Sequence, residues 1–221
     1  MTNFQSRICF GFAPAMLFPK SFEDPYQHFA AIQTCCHNTP YESFETFLPE
    51  DENMRKLCIQ SMRKNEIKLH YNAPGIFQID GKFNPCSENP EYRKNALNLA
   101  KKHIYYAAEA ESPIIVFAAC PDKGIKKRPE LLKRFMEYFL ELAELCRTYH
   151  MEITIEPIER HRFKKLILGP FKDCADFMLE AQKNGAANAH LMIDTAHLPL
   201  MEESLETAIK ETQRAGLIHV H

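Results

Sequence analysis

Three short runs in the 221-residue sequence end their apolar alternation on side chains that can do chemistry. "MEITIEPI" (151–158) closes on Glu156, and "AHLMID" (189–194) closes on Asp194, with His197 three residues on. "LIHVH" (217–221) carries His219 and His221. Carboxylate oxygens gathered with imidazole nitrogens suit a divalent ion of intermediate character: manganese, magnesium, cobalt or zinc. Each residue also has a plainer reading. Asp194 can cap a turn, His197 can pack or sit on the surface, and Glu156 can be an exposed strand end.

The elements that must position these groups alternate along the whole chain. Strand-like runs are expected at 7–13, 41–47, 67–71, 113–119, 151–158, 189–194 and 217–221. Helical periodicity is clearest over 129–149. Pro129 opens that segment, and Leu132, Phe135, Met136, Phe139, Leu142, Ala143 and Cys146 share one face. Segments 91–110, 171–183 and 203–214 follow the same pattern more weakly. Strand starts recur at intervals of roughly 35 residues, the size of a βα unit, which predicts an α/β fold with a parallel sheet. No Pro/Gly/Ser-rich linker divides the chain, so residues 1–221 are expected to form a single domain.

The strands themselves choose between an open sheet and a barrel. Ile153 and Ile155 alternate with Thr154 and Glu156, while Ile218 and Val220 alternate with His219 and His221. Leu69 and Tyr71 oppose Lys68 and His70, and Phe44 opposes Ser43 and Glu45. Strands buried on both faces of an open α/β sheet would be almost wholly aliphatic. One polar face with its ionisable residue near the carboxyl end fits a barrel of the (β/α)8 TIM type, whose mouth carries the site.

Composition narrows the partners. A formal charge of -2 gives no support for a nucleic-acid or anionic-membrane partner, and a neutral or anionic small molecule remains open as the ligand. No apolar run approaches the roughly 20 residues that span a bilayer. Eight cysteines without a C-x-x-C pair favour a reducing cytoplasm. "ICFGFAPAML" has the length of a signal-peptide core, but Gly11 and Pro14 interrupt it.

"ITIEPIER", "HLMIDTAHLPLMEES" and "GLIHVH", in this order and spacing, resemble the xylose-isomerase-like TIM-barrel superfamily. Within it they resemble the sugar phosphate isomerase/epimerase group that includes the ketose 3-epimerases. The resemblance implies a metal-dependent isomerase or epimerase of a sugar or sugar phosphate, with a divalent cofactor, manganese first. It makes Glu156 the catalytic proton carrier and a metal ligand, beside Asp194 and His221. It makes His197 and Arg160 substrate-binding residues and, more loosely, adds Glu45, His70 and His219 as groups facing the pocket.

Two departures from the family pattern stand out. Ketose 3-epimerases place a further glutamate six residues after the ligand glutamate, where this sequence has Arg162 within the basic stretch His161, Arg162, Lys164 and Lys165. The family barrel has eight strands, whereas seven are read here, so the fold is expected to be a TIM barrel incomplete at its carboxyl end. That form is expected to be either poorly soluble or self-associated through unpaired sheet edges. Two other functions share the pattern. One is an apurinic endonuclease, which the absent strand-four histidine in "VFAAC" and the missing basic face argue against. The other is a non-catalytic sugar-binding barrel.

Overall fold

The computed structural model describes residues 9–37, 40–75 and 81–221. The expected strand at 7–13 lies partly outside them; its described part is β1, Gly11–Phe12. The contacts gather into two compact units. One holds the described residues up to Asn72 with Tyr105–Pro113, and the other holds Ala73–Ile104 with Ile114–His221.

In the first unit, β1 is followed by the short helix α1 (Pro14–Leu17) and then α2 (Pro25–His37). Next come β2 (Ser43–Thr46), α3 (Glu52–Lys64) and β3 (Lys68–Asn72). The strands run parallel, Gly11 opposite Ser43 and Glu45 opposite His70. A Cβ at position 11 would lie 2.2 Å from Ser43 Oγ, so only glycine allows β1 to approach β2 this closely. Asp51 starts α3 by accepting the Met54 N–H at 2.8 Å.

Sequence periodicity did not single out α2 or α3, and the buried side chains show why. His28 sits among the buried residues of α2. Arg55 interrupts the apolar stripe of α3 and is buried, paired with Glu109 at 2.7 Å beneath the Tyr106 ring. A polar residue on the inward face blurs the 3.6-residue pattern.

The second unit takes residues 90–104 of α4 (Pro90–Glu109), then β4 (Ile114–Ala118), α5 (Arg128–Thr148) and β5 (Glu152–Glu156). It continues with α6 (Phe171–Lys183), β6 (Ala189–Ile193), α7 (Leu198–Met201), α8 (Leu205–Ala215) and β7 (Leu217–Val220). Parallel ladders join β4 to β5, β5 to β6 and β6 to β7. The buried stripe of α5 is Leu131, Phe135, Phe139, Leu142, Ala143 and Cys146, so Leu131 replaces the expected Leu132 and Met136 is only partly covered. Phe135 and Phe139 meet Phe177 of α6 at ring distances of 5.5 and 5.7 Å, closing an aromatic core between the two helices.

Strand β7 departs from its expected packing. Ile218 and Val220 remain 39% and 54% exposed, although alternation put them on an apolar packing face. No described helix is long and apolar enough to cross a membrane.

Candidate active site at the carboxyl ends of β5 and β6

The candidate site lies wholly within the second unit. Glu156 is the last residue of β5, and Asp194 follows the last residue of β6. Parallel pairing that sets Ile155 beside Leu191 carries both carboxylates to the same end of the sheet. The stretch after β6 then makes a tight turn. Asp194 Oδ1 accepts the Ala196 N–H at 2.8 Å, and the Asp194 carbonyl accepts the His197 N–H at 3.2 Å. The cap reading of Asp194 holds, since one oxygen builds the turn, and Oδ2 is left 3.6 Å from His197 Nε2. The turn swings the imidazole back over the strand ends. There Nε2 also stands 3.3 Å from Glu156 Oε1.

One ligand atom from each of Glu156, Asp194 and His197 lies within 4.8 Å of the others. Two carboxylates and an imidazole in this compass fit a divalent ion of intermediate hardness. Burial pushes the Glu156 carboxyl above its ordinary range and the Asp194 charge adds to this, while the adjacent His197 imidazole opposes it. The His197 imidazole is raised, first by the adjacent Glu156 carboxyl, against the cost of burial, and further by the charge of Asp194.

Glu159 completes the site, and motif reading passed over it. Its side chain is 1% exposed, and its Oε2 lies 2.8 Å from His197 Nδ1. Burial alone would raise this carboxyl, but backbone N–H donors, Lys164 first, and the His197 ring hold it below the ordinary range. The available signal was its position three residues after Glu156 in "EPIER".

The loop carrying Glu159 folds back on itself. The Ile158 N–H reaches the Leu168 carbonyl at 3.3 Å, and the Leu166 N–H reaches the Glu159 carbonyl at 3.2 Å. Gly169 makes this closure possible, since a Cβ there would lie 2.9 Å from the Arg160 nitrogen. The exposed tip holds His161, Arg162, Lys164 and Lys165, with Arg162 paired to Glu202 at 2.6 Å.

The structure does not bring every expected residue into the Glu156–Asp194–His197 group. Arg160 is buried, its Nη2 donating to the Ile167 carbonyl at 2.6 Å and to Asp173 Oδ2 at 2.7 Å. We expect Arg160→Met to lose about 1.5 kcal/mol of stability in urea denaturation, because the Ile167 carbonyl is orphaned while half-exposed Asp173 is screened by water. Unchanged stability together with lost substrate affinity would instead return Arg160 to the substrate.

His221 does not join the group either. Its backbone is tied to β6 through its N–H to Ile193 and its carbonyl to Thr195, and its ring lies 5.1 Å from that of His219. In the first unit, Glu45 is buried on β2 and accepts from the Asn72 amide, and His70 is partly buried on β3.

The family model for the xylose isomerase-like TIM barrel matches residues 29–221. The chain belongs to this family. No curated protein matches this xylose isomerase-like barrel in sequence. Among solved structures it resembles D-psicose 3-epimerase of Clostridium cellulolyticum H10, with 18% identity and a TM-score of 0.79 over 97% of this chain and 72% of that one. It also resembles the 3-keto-D-glucoside 4-epimerase of E. coli, with 15% identity and a TM-score of 0.70 over 96% and 77% of the two chains. A family 2 AP endonuclease from Brucella melitensis is similar at 13% identity and a TM-score of 0.76, over 96% and 78%. The fold is thus α/β of TIM-barrel type, with seven strands among the described residues. In such barrels the carboxyl ends of the strands carry the chemistry, which is where Glu156 and Asp194 lie.

Proposed function

We propose that this xylose isomerase-like barrel is a cytoplasmic, divalent-metal-dependent isomerase or epimerase acting on a sugar or sugar phosphate. The observation that carries the reading is Glu156: a carboxylate at a strand's carboxyl end, buried enough to be raised, beside a second carboxylate and an imidazole. A carboxylate at this position, within reach of a bound substrate, can take a proton from carbon as a general base.

Glu156 and Asp194, whose ligand atoms lie within 4.8 Å of one another, would hold the ion, with manganese first among the candidates. Bound there, a divalent ion supplies polarisation of a carbonyl and its neighbouring hydroxyl. Glu156 takes the proton from the carbon beside that carbonyl, leaving an enediolate. A proton delivered from solvent to the opposite face gives an epimer, while Glu156 keeps the one it took; its return by Glu156 to the neighbouring carbon gives the aldose–ketose isomer. His197, fixed over the strand ends, holds a substrate oxygen in register with Glu156, so that little reorganisation is left to the reacting state.

A screen of ketoses and their phosphates with manganese, repeated after chelation, tests this reading. Conversion of at least one ketose should be lost on chelation and restored by adding the ion back. Asp194→Asn should weaken manganese binding at least about tenfold in calorimetry and leave the fold intact, because it removes ligand charge while its amide oxygen can still cap the turn. Unchanged ion affinity in that variant would count against Asp194 as a ligand.

The likeness to the Brucella AP endonuclease supports a second reading, phosphodiester hydrolysis at abasic sites. Nicking of abasic plasmid in excess zinc would favour it. With 27 basic against 29 acidic residues, the charge supplies little electrostatic attraction for DNA.

A further inference from the structure

Glu159 has no assigned part in the proton transfer, yet its side chain is 1% exposed and both of its oxygens are engaged. Oε1 accepts the Lys164 N–H at 2.9 Å, and Oε2 meets His197 Nδ1 at 2.8 Å. A carboxylate that already accepts a backbone N–H can only accept again, so the proton in the second contact belongs to Nδ1. The opposite nitrogen, Nε2, faces Glu156 Oε1 at 3.3 Å and Asp194 Oδ2 at 3.6 Å. The imidazole is thus gripped from behind by a group that cannot swing away. The loop backbone pins Glu159 at Lys164, and the Leu166 N–H bond to the Glu159 carbonyl fixes the same residue a second time.

We propose that Glu159 is a positioning residue that sets His197 in its Nδ1–H form and aims Nε2, as the electron-pair donor, at the space shared with Glu156 and Asp194. An imidazole with no such partner favours the proton on Nε2, which would turn an N–H toward a substrate hydroxyl instead of a lone pair. The partner on the far nitrogen decides between the two forms. The inference rests on the proposed isomerase reading for its consequence in turnover, but not for the state of the ring. It also gives the loop a function: because Lys164 holds the second oxygen, the order of the basic tip and the orientation of His197 depend on the same carboxylate.

The test uses the full chain with ring-15N histidine, assigned by comparison with His197→Ala. Two-bond 1H–15N spectra at alkaline pH report which nitrogen carries the proton. The native protein should read Nδ1–H. Glu159→Ala should shift toward Nε2–H, whereas Glu159→Gln, whose amide oxygen can still accept, should keep Nδ1–H. A role confined to bracing the loop would leave the ring form unchanged in Glu159→Ala. Native protein reading Nε2–H would overturn the proposal without any variant, even if Glu159→Ala fails to fold. So would Nδ1–H persisting in a folded Glu159→Ala. On a ketose that the native protein converts, kcat should fall about 10- to 100-fold in Glu159→Ala and much less in Glu159→Gln. If the native protein converts none, the isomerase reading fails while the ring form still decides the role of Glu159.

Discussion

Glu156→Gln should lower turnover about 10²- to 10⁴-fold, the range that a positioned proton-transfer group contributes. The change keeps shape and volume and removes both the ability to take a proton and one ligand charge, so turnover is compared at saturating manganese. Glu156 has 14% side-chain exposure and lies 3.3 Å from His197, so an amide there retains most of the packing. Stability should not fall, because a buried carboxyl held above its ordinary range is a charge that folding places at a cost. Initial rates on the converted ketose, with circular dichroism and urea midpoints, separate loss of chemistry from loss of fold. A Gln variant retaining more than about a tenth of native turnover would move the proton-carrying role to another group.

Phe139→Ala should be the most destabilising single change in the second unit, at about 3–5 kcal/mol. Phe139 is fully buried, and its ring packs between Phe135 of its own helix and Phe177 of α6. Removing it opens a cavity where two helices meet and little can collapse to fill it. Ile125→Ala is the matched control: Ile125 is 77% exposed, and its loss should stay within about 0.5 kcal/mol. Equal midpoints for the two variants in denaturant would show that the aromatic contact does not hold α5 to α6.

The alternation of strands and helices was legible because each element has its own period and each buried face is nearly continuous. β5 shows this with Ile153 and Ile155 at 0% exposure and Glu156 at its end. α2 and α3 were not legible, since His28 and Arg55 turn polar side chains inward and erase the stripe. Ile218 and Val220 show the opposite limit: alternation says nothing of whether a neighbour covers the face, and the register between β6 and β7 shifts beside Ile218.

At the site, the strand-end placement of Glu156 and Asp194 was legible because it is a local property, whereas His197, and not the expected His221, completes their group. The Glu159–His197 contact was not legible, because it joins positions 38 apart through a loop that folds back at Gly169. Arg160 carries the same lesson. A motif places an arginine near the site, but the loop's closure decides that its guanidinium meets Asp173 and the Ile167 carbonyl.

The most direct test of the central claim is solvent hydrogen exchange into a ketose in heavy water, with manganese present and after chelation. Proton removal by Glu156 predicts that deuterium enters the carbon beside the carbonyl in the native protein. It also predicts that chelation abolishes the incorporation and that Glu156→Gln lowers it about 10²-fold or more. Protein that binds manganese and the sugar yet incorporates no deuterium above the protein-free control would contradict the claim and leave a binding barrel in its place.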